Sequence, residues 1–476
     1  MAPRTLLSAR WVIGHANGNH VVHENGVVVI EGGAILHVGR GFDGEVAQRI
    51  DYGQAVISPG FIDLDALSDL DTTILGFDNA PAWQKGRVWP ETYVARGPYE
   101  MYAPEELAFQ KRYAFAQLIR NGITTALPIA SLFYREWGET VAEFDAAAAA
   151  AEALGLRVYL GPAYRTGGQV TDTSGNIRAI YDEPRGLAGL EDAAAFAARI
   201  DGTAQGRIRA MFAPDRIETC TEPLLQRTAA MASEMGAPVR QHCCQSPTEL
   251  RLVQEQHGCT PIEWLAKIGA LHQNWLLPHG THAAARDFDL IAGAGATLVH
   301  CPLVSARHGS ALNSFAKVRA RGINIGLGTD THPADMILNM QIGLMMARAA
   351  GDTIRSEALF DAATLGGAQA LNRPDLGRLM SGARADITVI DLSQTLQTPD
   401  PVQTLMTSAS SRDVRDVWID GRRVMTDGQI PGVDEAADAT RAQSQFDGLI
   451  AKYPERTANH PPVTDIFRPS YPRSPA

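Results

Sequence analysis

The chain has 476 residues, of which 45% are hydrophobic and 20% charged, the balance of a globular protein large enough for a catalytic domain with a smaller companion. A formal charge of -11 at pH 7 argues against a nucleic-acid or anionic-membrane partner and leaves a small molecule as the expected one. The five cysteines (Cys220, Cys243, Cys244, Cys259, Cys301) form no CxxC pair, no apolar run is long enough to span a bilayer, and residues 1–8 carry no signal-peptide block, so a cytoplasmic protein is expected.

From residue 5 to 57, short β-rich runs alternate with Gly and Asn turns, which predicts a small antiparallel sheet. Similar strands return at 385–391 and 413–424, so the two ends (1–58 and 381–432) are expected to build one composite β-sandwich domain. Between them, in 59–380, eight apolar runs alternate with helical patterns, as an α/β fold of the (β/α)8 TIM-barrel type requires. The runs start at Ala55, Ile123, Arg157, Ile208, Pro238, Trp275, Ala296 and Asn324. Helices such as 104–120 and 141–154 lie between them, with Gly122 and Gly155 as expected C-caps. Residues 433–476 are polar and then proline-rich, and are expected to form either a packed strap or a mobile tail without chemistry.

Three of the apolar runs stop abruptly on a group that binds metals: Pro238-Val-Arg-Gln-His242, Trp275-Leu-Leu-Pro-His279 and Asn324-Ile-Gly-Leu-Gly-Thr-Asp330. Residues at the carboxyl ends of barrel strands point into one mouth, so His242, His279 and Asp330 should converge although far apart in sequence. A lone histidine is more often a satisfied core or surface group, and His20, His257 and His272 are read that way. Charged groups buried at three strand ends need a common partner, and a cation supplies it.

Six segments in order carry a resemblance: Ser58-Pro-Gly-Phe-Ile-Asp63, Asn121-Gly-Ile-Thr-Thr125, Leu277-Pro-His-Gly-Thr-His282, Val299-His-Cys-Pro302, Gly326-Leu-Gly-Thr-Asp330 and Gly382-Ala-Arg-Ala-Asp-Ile-Thr-Val389. Together they resemble the amidohydrolase superfamily, in its branch of triazine hydrolases, chlorohydrolases and cytosine-deaminase-like enzymes. The resemblance implies a (β/α)8 barrel with a composite β-sandwich, one divalent metal ion, hydrolysis at a carbon bearing nitrogen, chlorine or sulfur, and a homodimer or larger assembly. It makes His242 the fifth-strand ligand, Asp330 the eighth-strand acid, and His279 the sixth-strand histidine that binds metal or steers the transition state. Two departures stand out. The family's first-strand His-x-His falls on Asp65 and Leu67, and the glutamate three residues after the fifth-strand histidine is Gln245, which cannot carry a proton.

The expected metal set is therefore His242, His279, Asp330 and Asp65, with Asp330 and His279 also catalytic. Asp65 is read either as a ligand or as a hydrogen-bonded carboxylate at the barrel mouth. A carboxylate in place of imidazole hardens the site, so Zn2+ is expected with Mn2+ or Fe2+ open. Substrate contacts are expected from Gln245, His308, His332, Asp335 and Arg307, the last for an anionic group, and from Trp83 and Trp89 in an aromatic lid that also holds Phe77. His300, His308 and His332 are candidate replacement imidazoles. Alternation sends one of Cys243 and Cys244 inward, as packing rather than ligation. The implied activity is displacement of an amino, chloro or thio substituent of a small cyclic or heterocyclic compound, or cleavage of a C–N bond. Lactam or hydantoin-like ring opening, and a metal-free barrel that binds a ligand without turnover, are the alternatives.

Overall fold

The computed structural model describes residues 3–70, 88–129, 131–472 and 474. Strands β1 (Arg4–Ala16) and β2 (Asn19–Glu31) pair with Ala16 opposite Asn19, so Asn17 and Gly18 alone turn the chain. Both have positive φ (51° and 81°), the two-residue hairpin turn that an Asn-Gly pair favours. The sheet continues through β3 (Ala34–Gly39) on β2, and β4 (Gln48–Asp51) and β5 (Ala55–Pro59), both parallel to β1.

Eight parallel strands follow, with one excursion. They are β6 (Phe61–Leu67), then, after β7 (Trp89–Pro90), β8 (Ile123–Ile129) and β9 (Arg157–Leu160). A side hairpin, β10 (Gly167–Thr171) and β11 (Ile177–Tyr181), pairs with β7 and precedes β12 (Ile208–Ala210). Strands β13 (Val239–Arg240), β14 (Trp275–Pro278), β15 (Thr297–His300) and β16 (Asn324–Leu327) complete the set. Two parallel quartets result, in the orders β12-β9-β8-β6 and β13-β14-β15-β16. At one seam Arg240 N–H donates to the Phe212 carbonyl at 2.9 Å; at the other Asp330 N–H donates to the Asp65 carbonyl at 2.9 Å. Every residue of β6 and β8 is buried, which demands cover on both faces. Helices supply the outer cover: Pro104–Arg120 starts on a proline, and Val141–Leu154 is capped by the Thr140 side chain and stopped by Gly155 at φ 81°. The architecture is a TIM-barrel-like α/β fold.

The chain then returns as β17 (Ile387–Asp391), β18 (Val414–Ile419) and β19 (Arg422–Met425). Strand β17 pairs antiparallel with β5, Val389 opposite Ile57, so both ends of the chain join one eight-stranded sheet. Buried Arg157 at the start of β9 ties that sheet to the barrel through two bonds to Asp386, at 2.8 and 3.0 Å. The tail is a packed strap. Its helix Glu435–Arg456 is capped by Asp434 and bonded through Asp438 to Arg112 at 2.8 Å, and Leu449, Tyr453 and Ile466 share an apolar cluster with Trp89 and Tyr93. No helix among the described residues is long and apolar enough to cross a membrane.

Candidate metal centre

Asp65 lies near the carboxyl end of β6, while His242, His279 and Asp330 come just after β13, β14 and β16. Ligand-capable atoms of these four residues all lie within 4.8 Å of one another. His242 Nε2 is 3.6 Å from an Asp65 oxygen, His279 Nε2 is 3.5 Å from an Asp330 oxygen, and the two imidazoles stack with centroids 5.3 Å apart. Those separations are too long for good hydrogen bonds. The buried His279 Nε2 and Asp65 Oδ1 accordingly have no hydrogen-bond partner, although Arg240 Nη1 stands 3.5 Å from Asp65 Oδ1. Two imidazoles and two carboxylates around a common gap, with one imidazole nitrogen and one carboxylate oxygen orphaned, fit one divalent cation.

Protonation states favour the same set. Burial pushes the Asp65 carboxyl up, but the neighbouring His242, 3.6 Å away, and the Arg240 guanidinium outweigh it and leave the pKa below its usual range. Burial, reinforced by His242, holds the His279 pKa well below its usual value, so this imidazole is neutral, the ligand form. Burial raises Asp63 to about 7. Its carboxyl accepts from Thr329 N–H at 3.0 Å, Thr329 Oγ1 at 2.6 Å and Asp65 N–H at 3.1 Å, pinning the first strand to the last.

Backbone conformation is unusual here as well. His279 and Asp330 have φ of 77° and 50°, a region that costs a side-chain-bearing residue about 1 kcal/mol or more. The His279 N–H bond to the Val299 carbonyl and that of Asp330 to Asp65, both 2.9 Å, hold them there. Glu249 fixes the loop after His242 by accepting from Cys244 N–H at 2.5 Å and Gln245 N–H at 2.7 Å. Burial and the neighbouring Glu218 push the Glu249 pKa up to about 8.

A cavity of about 860 Å³, its open mouth included, is lined by His242, Asp330, Trp89, Gln245 and His308. Trp83 and Phe77 of the expected lid lie outside the described residues. Three expected substrate contacts sit elsewhere. Asp335 is buried and accepts the Leu338 N–H at 3.0 Å as N-cap of the helix Met336–Ala349; His332 is exposed; Arg307 bonds Thr331 Oγ1 at 2.7 Å and the His332 carbonyl. No replacement imidazole joins the four-residue group among the described residues, and His300 is buried against Phe315 with its pKa lowered by burial to about 4. Cys243 and Cys244 are both buried, because φ of 55° at Cys244 ends the strand alternation; with Glu249 they form a second group of close ligand-capable atoms. Arg165, Gln169, Asp215 and Arg216, which sequence reasoning passed over, also line the cavity. The only available signal was their position in the segments after β9 and β12, the third and fourth barrel strands.

The chain is similar to several known proteins. A 5-methylthioadenosine/S-adenosylhomocysteine deaminase of Halobacterium salinarum is 28% identical over 435 residues, covering 89% of this chain and 93% of that protein. A zinc-bound adenosine deaminase from Xanthomonas campestris superposes with a TM-score of 0.75 at 21% identity, covering 94% of this chain and 98% of its own. A variant of the atrazine chlorohydrolase from Arthrobacter aurescens, complexed with zinc and atraton, gives 0.77 at 20% identity, covering 93% and 100%. At such identities the structural likeness speaks for the fold. The amidohydrolase family pattern itself matches residues 56–424, from β5 through all eight barrel strands to β19. Because that match takes in the whole barrel and every residue of the candidate cluster, the chain belongs to the amidohydrolase family.

Proposed function

We propose that the protein is a metal-dependent hydrolase that removes an amino, chloro or similar small substituent from a heterocyclic compound. The observation that carries this reading is the group of Asp65, His242, His279 and Asp330, with its orphaned atoms, beside an open cavity. These four residues would hold one divalent ion, zinc first because the similar solved structures contain it. Such an ion supplies the Lewis acidity that makes hydroxide available near neutral pH.

The chain's own groups do the rest. Asp330, on the cavity lining, accepts the proton of the attacking water and returns it to the departing group. His279, neutral and fixed by its backbone, keeps a lone pair directed at the centre. Gln245 donates or accepts a hydrogen bond to the substrate but transfers no proton, which favours substituents that leave without protonation of the ring by a separate acid. Trp89 offers a face to a planar ring, and His308 a polar contact beside it. The same reading closes the eight strands as a (β/α)8 barrel at 59–380 and makes the terminal sheet a composite β-sandwich from 1–58 and 381–432, with the tail at 433–476. It also takes the protein to be a cytoplasmic homo-oligomer.

The test starts from protein purified without added metal. Metal is measured per chain, and amino-, chloro- and alkylthio-substituted purines and triazines are assayed for released ammonia, chloride or thiol, with and without chelator. About one metal per chain and chelator-sensitive release are expected. A product that gains water without releasing a group would replace this reading with ring opening, and a metal-free, inactive protein would end it.

A further inference from the structure

One wall of the cavity carries charge that the hydrolytic chemistry does not use. Arg165 lines it, is 7% exposed, and lies between the rings of Trp89 at 5.2 Å and Trp137 at 5.4 Å. Its ion-pair partner is Asp215, with Nη1 to oxygen 3.7 Å, beyond hydrogen-bond length. Nε and Nη2 of the same guanidinium have no partner. Burial brings the Arg165 pKa down to about 10 even with Asp215 nearby, the mark of a cation whose lost hydration is not made good. Arg216 lines the same cavity. Among the described residues, the carboxylates on that lining are Asp215 and Asp330, and Asp330 belongs to the metal group.

A buried, under-compensated charge is costly, and an anionic ligand relieves the cost. Nε–H and Nη2–H of a guanidinium are parallel donors on one planar edge, the spacing of two carboxylate oxygens. We propose that this wall is a carboxylate subsite, so that the substrate bears a carboxylate paired with Arg165 and flanked by Arg216 while its ring lies against Trp89. The proposal rests on the reading of this cavity as the hydrolytic site and narrows its substrate class to anionic heterocycles.

Calorimetric titration of the full-length protein as purified, with benzoate, benzamide and inorganic phosphate as probes, tests it without turnover. Wild type should bind benzoate about tenfold more tightly than benzamide, since charge-assisted bidentate pairing distinguishes the two. Arg165→Met should erase that preference and leave benzamide unchanged, which separates the subsite from carboxylate binding at the metal. Asp215→Asn removes the competing carboxylate and should strengthen benzoate binding several-fold, an outcome readable even if Arg165→Met does not fold. Equal binding of benzoate and benzamide, a preference that survives Arg165→Met, an unchanged benzoate affinity in Asp215→Asn, or phosphate displacing benzoate at lower concentration would each overturn it. Benzoate preference without any hydrolysis would keep the subsite and remove the proposed activity; hydrolysis of neutral heterocycles without the preference would do the reverse.

Discussion

The two quartets of the barrel contribute different things to the cavity. The β13–β16 quartet delivers His242, His279 and Asp330, each within three residues of a strand end, the last two on backbone that bonds directly to neighbouring strands. The β6–β12 quartet delivers Asp65 from within a strand, and otherwise Arg165, Asp215 and Arg216, at least four residues beyond theirs. Three of the four metal-group residues thus sit on the stiff half, whose loops also bring Gln245 and His308 to the cavity, while the Arg165 wall comes from the half with longer excursions, the side hairpin β10–β11 included. A short tether fixes a side chain to fractions of an ångström, as metal ligation demands; a longer one lets the cavity wall vary while the chemistry stays.

Substitutions on the stiff half should have the largest effects. Asp330→Asn should lower kcat/KM by about a thousandfold or more while melting stays within a few degrees of wild type, in steady-state assays and calorimetry on the same preparation. His242→Ala should lose bound metal together with turnover. Either variant retaining activity within a few-fold of wild type would detach that residue from the mechanism.

On the other half the expected damage is to shape. Tyr453 is fully buried in the cluster that also holds Trp89, so Tyr453→Ala should cost about 3 kcal/mol in urea denaturation and raise KM more than it lowers kcat. A stability within about 0.5 kcal/mol of wild type would mean that the strap does not brace this wall. Asp65 belongs to both descriptions. Asp65→Asn keeps an oxygen donor and loses the charge, and should weaken metal retention by about tenfold against a competing chelator. Unchanged retention would return Asp65 to a purely structural carboxylate paired with Arg240.

The smallest effect is a pH dependence. Glu249 has its pKa raised by burial from 4.5 to about 8. The native protein therefore holds a proton between those limits that the unfolded chain has released, so the stabilisation is complete below about 4.5 and is lost as pH rises toward 8. Wild type should lose melting temperature between about pH 5 and pH 8 more steeply than Glu249→Gln. Parallel curves would show that Glu249 is ionised in the fold.

The stiff half was legible in the amino-acid sequence because strand signal and ligand chemistry fall on the same few residues: an apolar run that stops on His242, His279 or Asp330 announces both. The terminal sheet was legible from β-rich runs at both ends and from Asn17-Gly18. Arg165 gave no such signal, since an arginine in a loop has no period to set it apart from the other cationic side chains. Asp335 misled for a related reason: five residues after Asp330 the chain has already turned away to cap a helix. Cys243 and Cys244 defeated an alternation rule because Cys244 lies in the left-handed region, beyond the end of the strand. The β10–β11 hairpin, by contrast, carried a readable turn in Thr173-Ser174-Gly175-Asn176, obscured by the expectation of a helix directly after the third strand.

The most direct test of the metal centre is an anomalous-scattering map of crystals grown from protein never exposed to chelator or added metal. One peak within coordination distance of His242, His279 and Asp330 is the predicted result. A map empty at the barrel mouth, or a peak only at Cys243, Cys244 and Glu249, would contradict it.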